Sequence, residues 1–393
     1  MSAAAAVRSY LAGMETDMVA MLETLVRMET PSDKPETQDQ ILTFLREAFR
    51  DVGCRTLRLP ARKSGGHLYA ALPRRRGDDA GVQLLLGHCD TVWPVGTLEK
   101  MPLVRDGDVL KGPGVYDMKA GVVEMIFALR CLRDLELAPA VTPLVFINSD
   151  EEIGSRESTR YVRALARIAD RALVMEPSLG PGGYLKTARK GVGRFTVTVQ
   201  GKAAHAGLDP EGGASAILEL SHVIQKLFAL NDPERGASVN VGLIDGGVRA
   251  NVIAPQSSAV VDVRVASQTD AERIEQTILA LKAETDGVTL EIDGRIGRPP
   301  LEHTPANRQL WRMAATLAAD LDMQLAEGTA GGGSDGNTTS LYTATLDGLG
   351  AVGDGAHAAH EHIQVSQLAE RCALLALLLL APPLASPKAG QAA

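Results

Sequence analysis

At 393 residues the chain exceeds a usual single domain, so two are expected. Hydrophobic residues make up 45% and charged residues 22%, an ordinary globular balance. Lysine and arginine number 40 against 48 acidic residues, and the net charge of -8 argues against nucleic acid or an acidic membrane as the main partner. Cys54, Cys89, Cys131 and Cys372 lie far apart with no CxxC pair, which points to free thiols in a reducing compartment. Residues 1–6 are small and uncharged, and Glu15 and Asp17 interrupt any apolar run, so no secretory leader is read and a cytoplasmic location is expected.

In chain order, the first predicted helix spans 16–28, with Val19, Met21, Leu22, Leu25 and Val26 at helical spacing. Pro31, Ser32 and Asp33 break it, and a second helix is expected over 38–52. Residues 81–87 read as a buried strand that delivers His88-Cys89-Asp90-Thr91 at its end. A histidine there serves as a core residue or as a metal ligand. The nearby Asp90 suits the second role, because metal-bound histidines usually donate their other ring N–H to an acceptor. The glycine-rich stretch 111–116 leads to Asp117 and an amphipathic helix through Val122, Met125, Ile126, Leu129 and Leu132. On its own, Asp117 reads equally as a helix N-cap.

The apolar run 141–147 is another buried strand, and it opens onto Asn148-Ser149-Asp150-Glu151-Glu152. Three adjacent carboxylates repel and are costly to desolvate, so they form either a solvated acidic turn or a site offset by positive charge. A helix over 158–169 and a strand over 171–175 follow, and the strand ends in Glu176-Pro177. Strands alternating with helices indicate an α/β unit, a mostly parallel sheet flanked by helices. Ligands bind such sheets beyond the carboxyl ends of the strands. His88, Glu151, Glu152 and Glu176 all fall at such ends, with Asp117 after a glycine-rich loop.

From about Gly191 the pattern changes. A strand over 193–200, a helix over 214–230, strands over 238–244 and 259–265, a helix over 270–285 and a strand over 288–292 give the order β-α-β-β-α-β. That order fits an inserted α+β split-βαβ, ferredoxin-like module. The expected boundaries are 1–189 and 300–393 for the first domain and 190–299 for the insertion. The first domain resumes with a helix over 307–326, a glycine-rich loop over 329–335 and a cluster of His357, His360 and His362. A final helix carries the apolar run 373–381, which Pro382-Pro383 stops short of bilayer length, so it reads as buried. Residues 386–393 read as a frayed tail.

An inventory of imidazoles and carboxylates without thiolate suits zinc, cobalt or manganese. Two such ions about 3.5–4 Å apart are often bridged by a carboxylate and a water. Glu151 and Glu152, as neighbours on an extended backbone, point apart. One of them is then free to ligate while the other faces the water, the division of labour a metal-assisted hydrolase needs.

Five stretches resemble the M20 metallopeptidase family: 87–92 (GHCDTV), 112–121 (GPGVYDMKAG), 149–155 (SDEEIGS), 175–177 (MEP) and 201–207 (GKAAHAG). They occur in family order across nearly the whole chain. Residues 331–335 (GGGSD) and 297–299 (GRP) make the chain most similar to the glutamate carboxypeptidase, carboxypeptidase G2-like, branch. The resemblance implies a zinc-peptidase-like catalytic domain with an inserted dimerisation or lid domain, a homodimer, and two divalent ions, zinc foremost. It implies Asp117 as the bridge, His88 and Glu176 on one ion, and Glu152 with His357 on the other. Glu151 would be the general base and acid, and Asp90 the support of His88. His357 is preferred over His360 and His362 because the family often has a glutamate four residues after the ligand, where Glu361 stands. His205 would steady the oxyanion in the partner subunit's site.

Asn251, Arg264 and Arg298 fall where the family has substrate-contacting residues, and Arg298 suits a substrate carboxylate. Arg264, in an alternating strand, is as readily a surface arginine, and Gly332 and Gly333 are either N–H donors or a flexible turn. Cys89, in the variable place between His88 and Asp90, departs from the commonest family pattern and is not taken as a ligand. The activity implied is hydrolysis of an amide beside a free carboxylate, releasing a C-terminal amino acid such as glutamate from a peptide or N-acyl amino acid. Rival readings within the family are an aminoacylase, a succinyl-diaminopimelate desuccinylase or an N-carbamoyl amino acid hydrolase. A catalytically silent metal-binding protein is the rival from another class.

Overall fold

The computed structural model describes residues 2–73 and 81–384; the tail expected over 386–393 lies outside the described residues. The chain divides into two compact units, Met1–Thr187 with His303–Thr329 and Ser334–Ala393, and Ala188–Glu302 with Ala330–Gly333.

The first unit is built on a six-stranded sheet in the order Arg55–Leu59, His67–Ala71, Thr142–Asn148, Val82–His88, Ala169–Val174, Ala344–Leu346. The last four strands in that order are mutually parallel, and the first two add an antiparallel edge. The central strands read as continuous apolar runs because both faces are covered. Leu85, Val145, Ile147 and Leu173 point into the larger core, with the helices Glu15–Arg27, Gln38–Asp51, Ala120–Asp134 and Val365–Leu380. Leu84, Leu86, Leu144, Phe146, Ala172 and Val174 point the other way, against Val162 of the helix Thr159–Ala166. Burial of each large apolar side chain contributes about 1.5–3 kcal/mol, which holds the helices against the two faces of the sheet.

Val365–Leu380, which contains the apolar run, packs against Ala120–Asp134 and is buried along most of its length. Among the described residues no helix is long and apolar enough to cross a membrane. A second, small sheet orders Gly353–Asp354, His362–Gln364, Val109–Lys111 and Val104–Asp106 side by side. It sets the late histidine cluster beside the loop that leads to Asp117.

The second unit is an antiparallel sheet in the order Ser238–Gly246, Gln256–Val265, Gly191–Gln200, Thr289–Arg298, with the helices Ala216–Phe228 and Gln268–Leu279. Phe195, Val197, Val199, Val261 and Val263 alternate inward against Leu220, Val223 and Ile274. This is the β-α-β-β-α-β module the period-two pattern indicates.

Several boundaries differ from the sequence expectation. The last strand of the module runs to Arg298 instead of stopping at 292. Within the extension, a Cβ at Gly294 would meet the Arg194 carbonyl oxygen at 2.3 Å and its φ is 142°, so the strand requires glycine at that point. The helix expected over 307–326 is Pro305–Ala319, and the chain turns at Asp322, whose φ is 58°. The helix expected over 158–169 ends at Ala166, because Ala169 already belongs to the next strand.

Candidate metal centre

Parallel pairing brings the strand ends together. His88 lies opposite Asn148, and Leu86 opposite Val174, so the segments carrying His88, Glu151, Glu152 and Glu176 emerge from three adjacent strands. Neighbouring strands are about 4.8 Å apart, which puts side chains from their ends within reach of a shared ion.

The cluster centres on the Asp117 carboxylate. One oxygen lies 3.2 Å from His88 Nε2 and the other 3.3 Å from His357 Nε2. His88 Nε2 is 3.6 Å from Glu176 Oε1, and His357 Nε2 is 3.1 Å from Glu152 Oε2. One ligand atom each from His88, Asp117 and Glu152 lies within 4.8 Å of the others, and so does one each from His88, Glu151 and Glu176. Asp117 sits in an irregular turn two residues ahead of the cap of Ala120–Asp134, so it is not that helix's N-cap. His357 has a φ of 61°, a left-handed conformation that costs a non-glycine residue about 1–2 kcal/mol. Such strain persists where surrounding structure over-determines it, often at functional sites.

Asp90 acts more broadly than expected. His88 Nδ1 is 2.9 Å from the Asp90 main-chain oxygen and 3.5 Å from its Oδ1, so the nearer support for the ring is the backbone carbonyl. The Asp90 carboxylate accepts the backbone N–H groups of Glu151 and Glu152, both at 3.2 Å, and the Ser32 hydroxyl at 2.6 Å. It thereby fixes the turn that carries both glutamates. The third acid of the triplet, Asp150, faces away and accepts the N–H groups of Glu157 and Ser158 at the start of a helix. This divergence relieves the repulsion that three consecutive carboxylates would otherwise suffer.

The electrostatics favour positive charge at the centre. Burial would lower the His88 imidazole, but Asp117 and Asp90 raise it well above its usual value. Asp117 and Glu152 push His357 up to about 11. Burial would raise Asp117, yet its bonds to His357 and His88 hold it far below the usual carboxylate range. Burial and then the Asp117 charge raise Glu152 to about 7. Glu152 Oε1 is buried with no hydrogen-bond partner. A buried oxygen without a donor is costly, and a divalent cation among imidazole and carboxylate ligands would satisfy it. The residues therefore fit metal ions. Cys89 is buried, and burial pushes its thiol up to about 12, the reverse of a ligand thiolate.

The remaining candidates lie in the second unit or outside the cluster. His205 is exposed, and its Nδ1 accepts the N–H groups of Gly207 and Leu208, both at 3.1 Å, which puts the ring proton on Nε2. Asn251 lies beside it, its carbonyl accepting the Ala206 N–H. Arg264 binds Asp262 through two bonds of 2.8 and 3.1 Å, which favours a surface pair. Strand register places Arg264 and Arg298 on either side of Val192. The Gly332 carbonyl accepts from Arg189, and a side chain at Gly332 would meet open space. His360 and His362 stand outside the acid cluster, with His362 paired to Lys111 in the small sheet.

Sequence reasoning passed over Ser32, Trp93 and the structural part of Glu361. Glu361 is fully buried, and its carboxylate accepts from Trp93, Gly114, Tyr116 and Asp117. Its place four residues after His357 was the only available signal, and that spacing did not say what the side chain touches.

Residues 84–381 match the model of Peptidase family M20/M25/M40. Carboxypeptidase G2 of Pseudomonas sp. (strain RS-16) is 27% identical over 370 residues, covering 92% of this chain and 88% of that one. A succinyl-diaminopimelate desuccinylase of Xanthomonas oryzae pv. oryzae (strain PXO99A) is 30% identical over 324 residues, covering 77% and 84%. Among solved structures, aminopeptidase PepT from Bacillus cereus ATCC 10987 superposes with a TM-score of 0.76 at 20% identity, covering 93% and 98%. A mostly parallel α/β sheet with a His/Asp/Glu cluster beyond its strand ends defines the class, a metal-dependent peptidase or amidohydrolase. The chain belongs to peptidase family M20.

Proposed function

We propose that the protein is a two-metal carboxypeptidase that hydrolyses the amide bond next to a free carboxylate, releasing a C-terminal amino acid such as glutamate from a peptide or N-acyl amino acid. The observation that carries this reading is the Asp117 carboxylate, with one oxygen toward His88 and the other toward His357. His88 and Glu176 would hold one ion, Glu152 and His357 the other, and Asp117 both, with zinc the first choice and cobalt or manganese alternatives. Ions held there supply Lewis-acid activation of water and of the substrate carbonyl.

Glu151 takes the proton of the attacking water and later delivers it to the departing nitrogen. Asp90 holds Glu151 in place through its backbone N–H. His205, with its proton on Nε2, donates to the oxyanion in the site of a partner subunit. Arg298 receives the substrate carboxylate, and Asn251, Gly332 and Gly333 contribute polar contacts around it, while Arg264 stays paired with Asp262. The homodimer forms through the second unit. Its edge strand Ser238–Gly246 exposes Leu243 and Ile244, and the helix Ala216–Phe228 exposes Ile217 and Leu218, an apolar edge that a second copy would cover. Four buried free cysteines support a cytoplasmic location.

The 30% identity to a desuccinylase supports a second reading, in which an N-succinyl group is removed. An aminoacylase or N-carbamoyl hydrolase would use the same centre with a different side-chain pocket. Metal-loaded protein incubated with N-acyl glutamates, other N-acyl amino acids, N-succinyl and N-carbamoyl amino acids and short peptides separates these, with free amino acid quantified by chromatography. Fastest release of glutamate is expected. Preference for the succinyl substrate would transfer the protein to the desuccinylases, and no release from any member of the panel would leave a metal-binding protein without this activity.

A further inference from the structure

Glu361 is fully buried in the first unit, and every bond its carboxylate makes is to a donor. Oε1 accepts the backbone N–H groups of Tyr116 at 3.0 Å and Asp117 at 3.1 Å. Oε2 accepts the backbone N–H of Gly114 at 3.0 Å and the Trp93 indole N–H at 2.7 Å. The Glu361 carbonyl accepts the Gly112 N–H at 3.2 Å, and its own N–H closes the turn carrying His357 by bonding Ala358 O at 2.9 Å. Gly355, in the same turn, has a φ of 81°, and a Cβ there would meet the Glu361 nitrogen at 2.9 Å, so the turn is tight against Glu361.

Three ligand-bearing segments therefore meet at one side chain. Trp93 extends from the segment after His88, residues 112–117 carry Asp117, and Glu361 itself follows His357. Four donors on one ionised group form charge-assisted bonds, the stronger kind. The Asp117 carboxylate meets the imidazoles of the other two segments directly, and Glu361 ties the backbones that carry them.

We propose that Glu361 is a positioning residue: it sets the spacing between Asp117 and the imidazoles of His88 and His357, and so the geometry in which two divalent ions are shared. This rests on reading the cluster as a metal centre. Glu361 touches neither substrate nor ion in this scheme. It acts by holding the Asp117 backbone, from which the bridging carboxylate projects. Removing such outer partners of a metal site typically costs about 10–100-fold in metal affinity. In Glu361→Gln the amide group must face one of the two donor pairs, so two N–H groups lose their acceptor while the volume is kept. Glu361→Asp retains the charge with a shorter reach, and Trp93→Phe removes a single donor.

The test uses the full chain stripped with a chelator, then titrated with Zn2+ in competition with a chromophoric chelator. The thermal midpoint of the stripped protein is measured alongside. The expected result is two ions in the wild type. Affinity for the more weakly held ion should fall 10–100-fold in Glu361→Gln, recover partly in Glu361→Asp, and fall less in Trp93→Phe, without a matching drop in the stripped protein's midpoint. Wild-type affinities for both ions in folded Glu361→Gln would overturn the proposal. So would a midpoint loss in Glu361→Gln with affinities unchanged, because that marks a purely structural group. Should Glu361→Gln not fold, Trp93→Phe decides, and unchanged affinity there overturns it. A wild-type protein that binds no ion would instead refute the metal centre itself.

Discussion

Replacing Glu151 with glutamine separates its two conceivable roles. Its carboxylate comes within 4.8 Å of ligand atoms of His88 and Glu176, close enough to join an ion, so distance alone does not decide between ligand and base. The Asp90 carboxylate holds the Glu151 backbone N–H at 3.2 Å and that of Glu152 at 3.2 Å. Both bonds are to main chain and survive the substitution, and glutamine fills the same volume. Glu152, Glu176 and the imidazoles should therefore stay in place, and both ions with them. What disappears is a group able to accept a proton. General acid–base catalysis typically contributes about 10²–10⁴-fold. Glu151 serves both the attack and the departure of the nitrogen, so a loss near the upper end, about 10⁴-fold in kcat, is expected. At about 1.36 kcal/mol per decade that is about 5 kcal/mol of barrier. The assay pairs steady-state release of amino acid from the best substrate with metal content by elemental analysis. Two ions retained with turnover nearly abolished is the predicted pattern. Loss of an ion in proportion to activity would refute the reasoning and make Glu151 a ligand.

His205→Ala should slow turnover with both ions retained, and mixing it with Glu151→Gln should restore part of the activity in hybrid dimers. Absence of rescue would argue against a shared site. Gly121→Ala should cost about 1–3 kcal/mol by overpacking, since a Cβ there would meet the Met175 carbonyl oxygen at 2.1 Å, next to Glu176. Urea unfolding measures the loss, and an unchanged midpoint would show that the helix and strand separate freely. His357 is raised to about 11 by Asp117 and Glu152, and Glu152 to about 7 by burial and the Asp117 charge. Both must be deprotonated to ligate, so metal affinity should rise as pH rises from 6 to 8, with protons released on loading. Calorimetry in buffers of different ionisation enthalpy detects the release, and buffer-independent heats would contradict it.

The parallel sheet was legible because its strands are apolar runs between amphipathic helices, and the strand ends at His88, Glu151 and Glu176 followed from that. The inserted module was legible from its period-two alternation. The edge strands Arg55–Leu59 and His67–Ala71 and the small sheet holding Val109–Lys111 beside His362–Gln364 were not, since strands of three to five residues carry too few alternations to register. That small sheet aligns the His357 turn with the Asp117 loop. The convergence of His357 on Asp117 consequently rested on resemblance and not on any periodicity. What the Glu361 side chain touches was invisible for the same reason. A lone buried acid has no spacing of its own, and its meaning lies in four donors that are close only in the folded chain.

Crystals of the zinc-loaded protein, measured at the zinc absorption edge, address the account most directly. It predicts two anomalous peaks per chain, about 3.5–4 Å apart, one on each oxygen of Asp117, with His88 and Glu176 beside the first and Glu152 and His357 beside the second. A single peak, or peaks that leave Asp117 without contact, would contradict it.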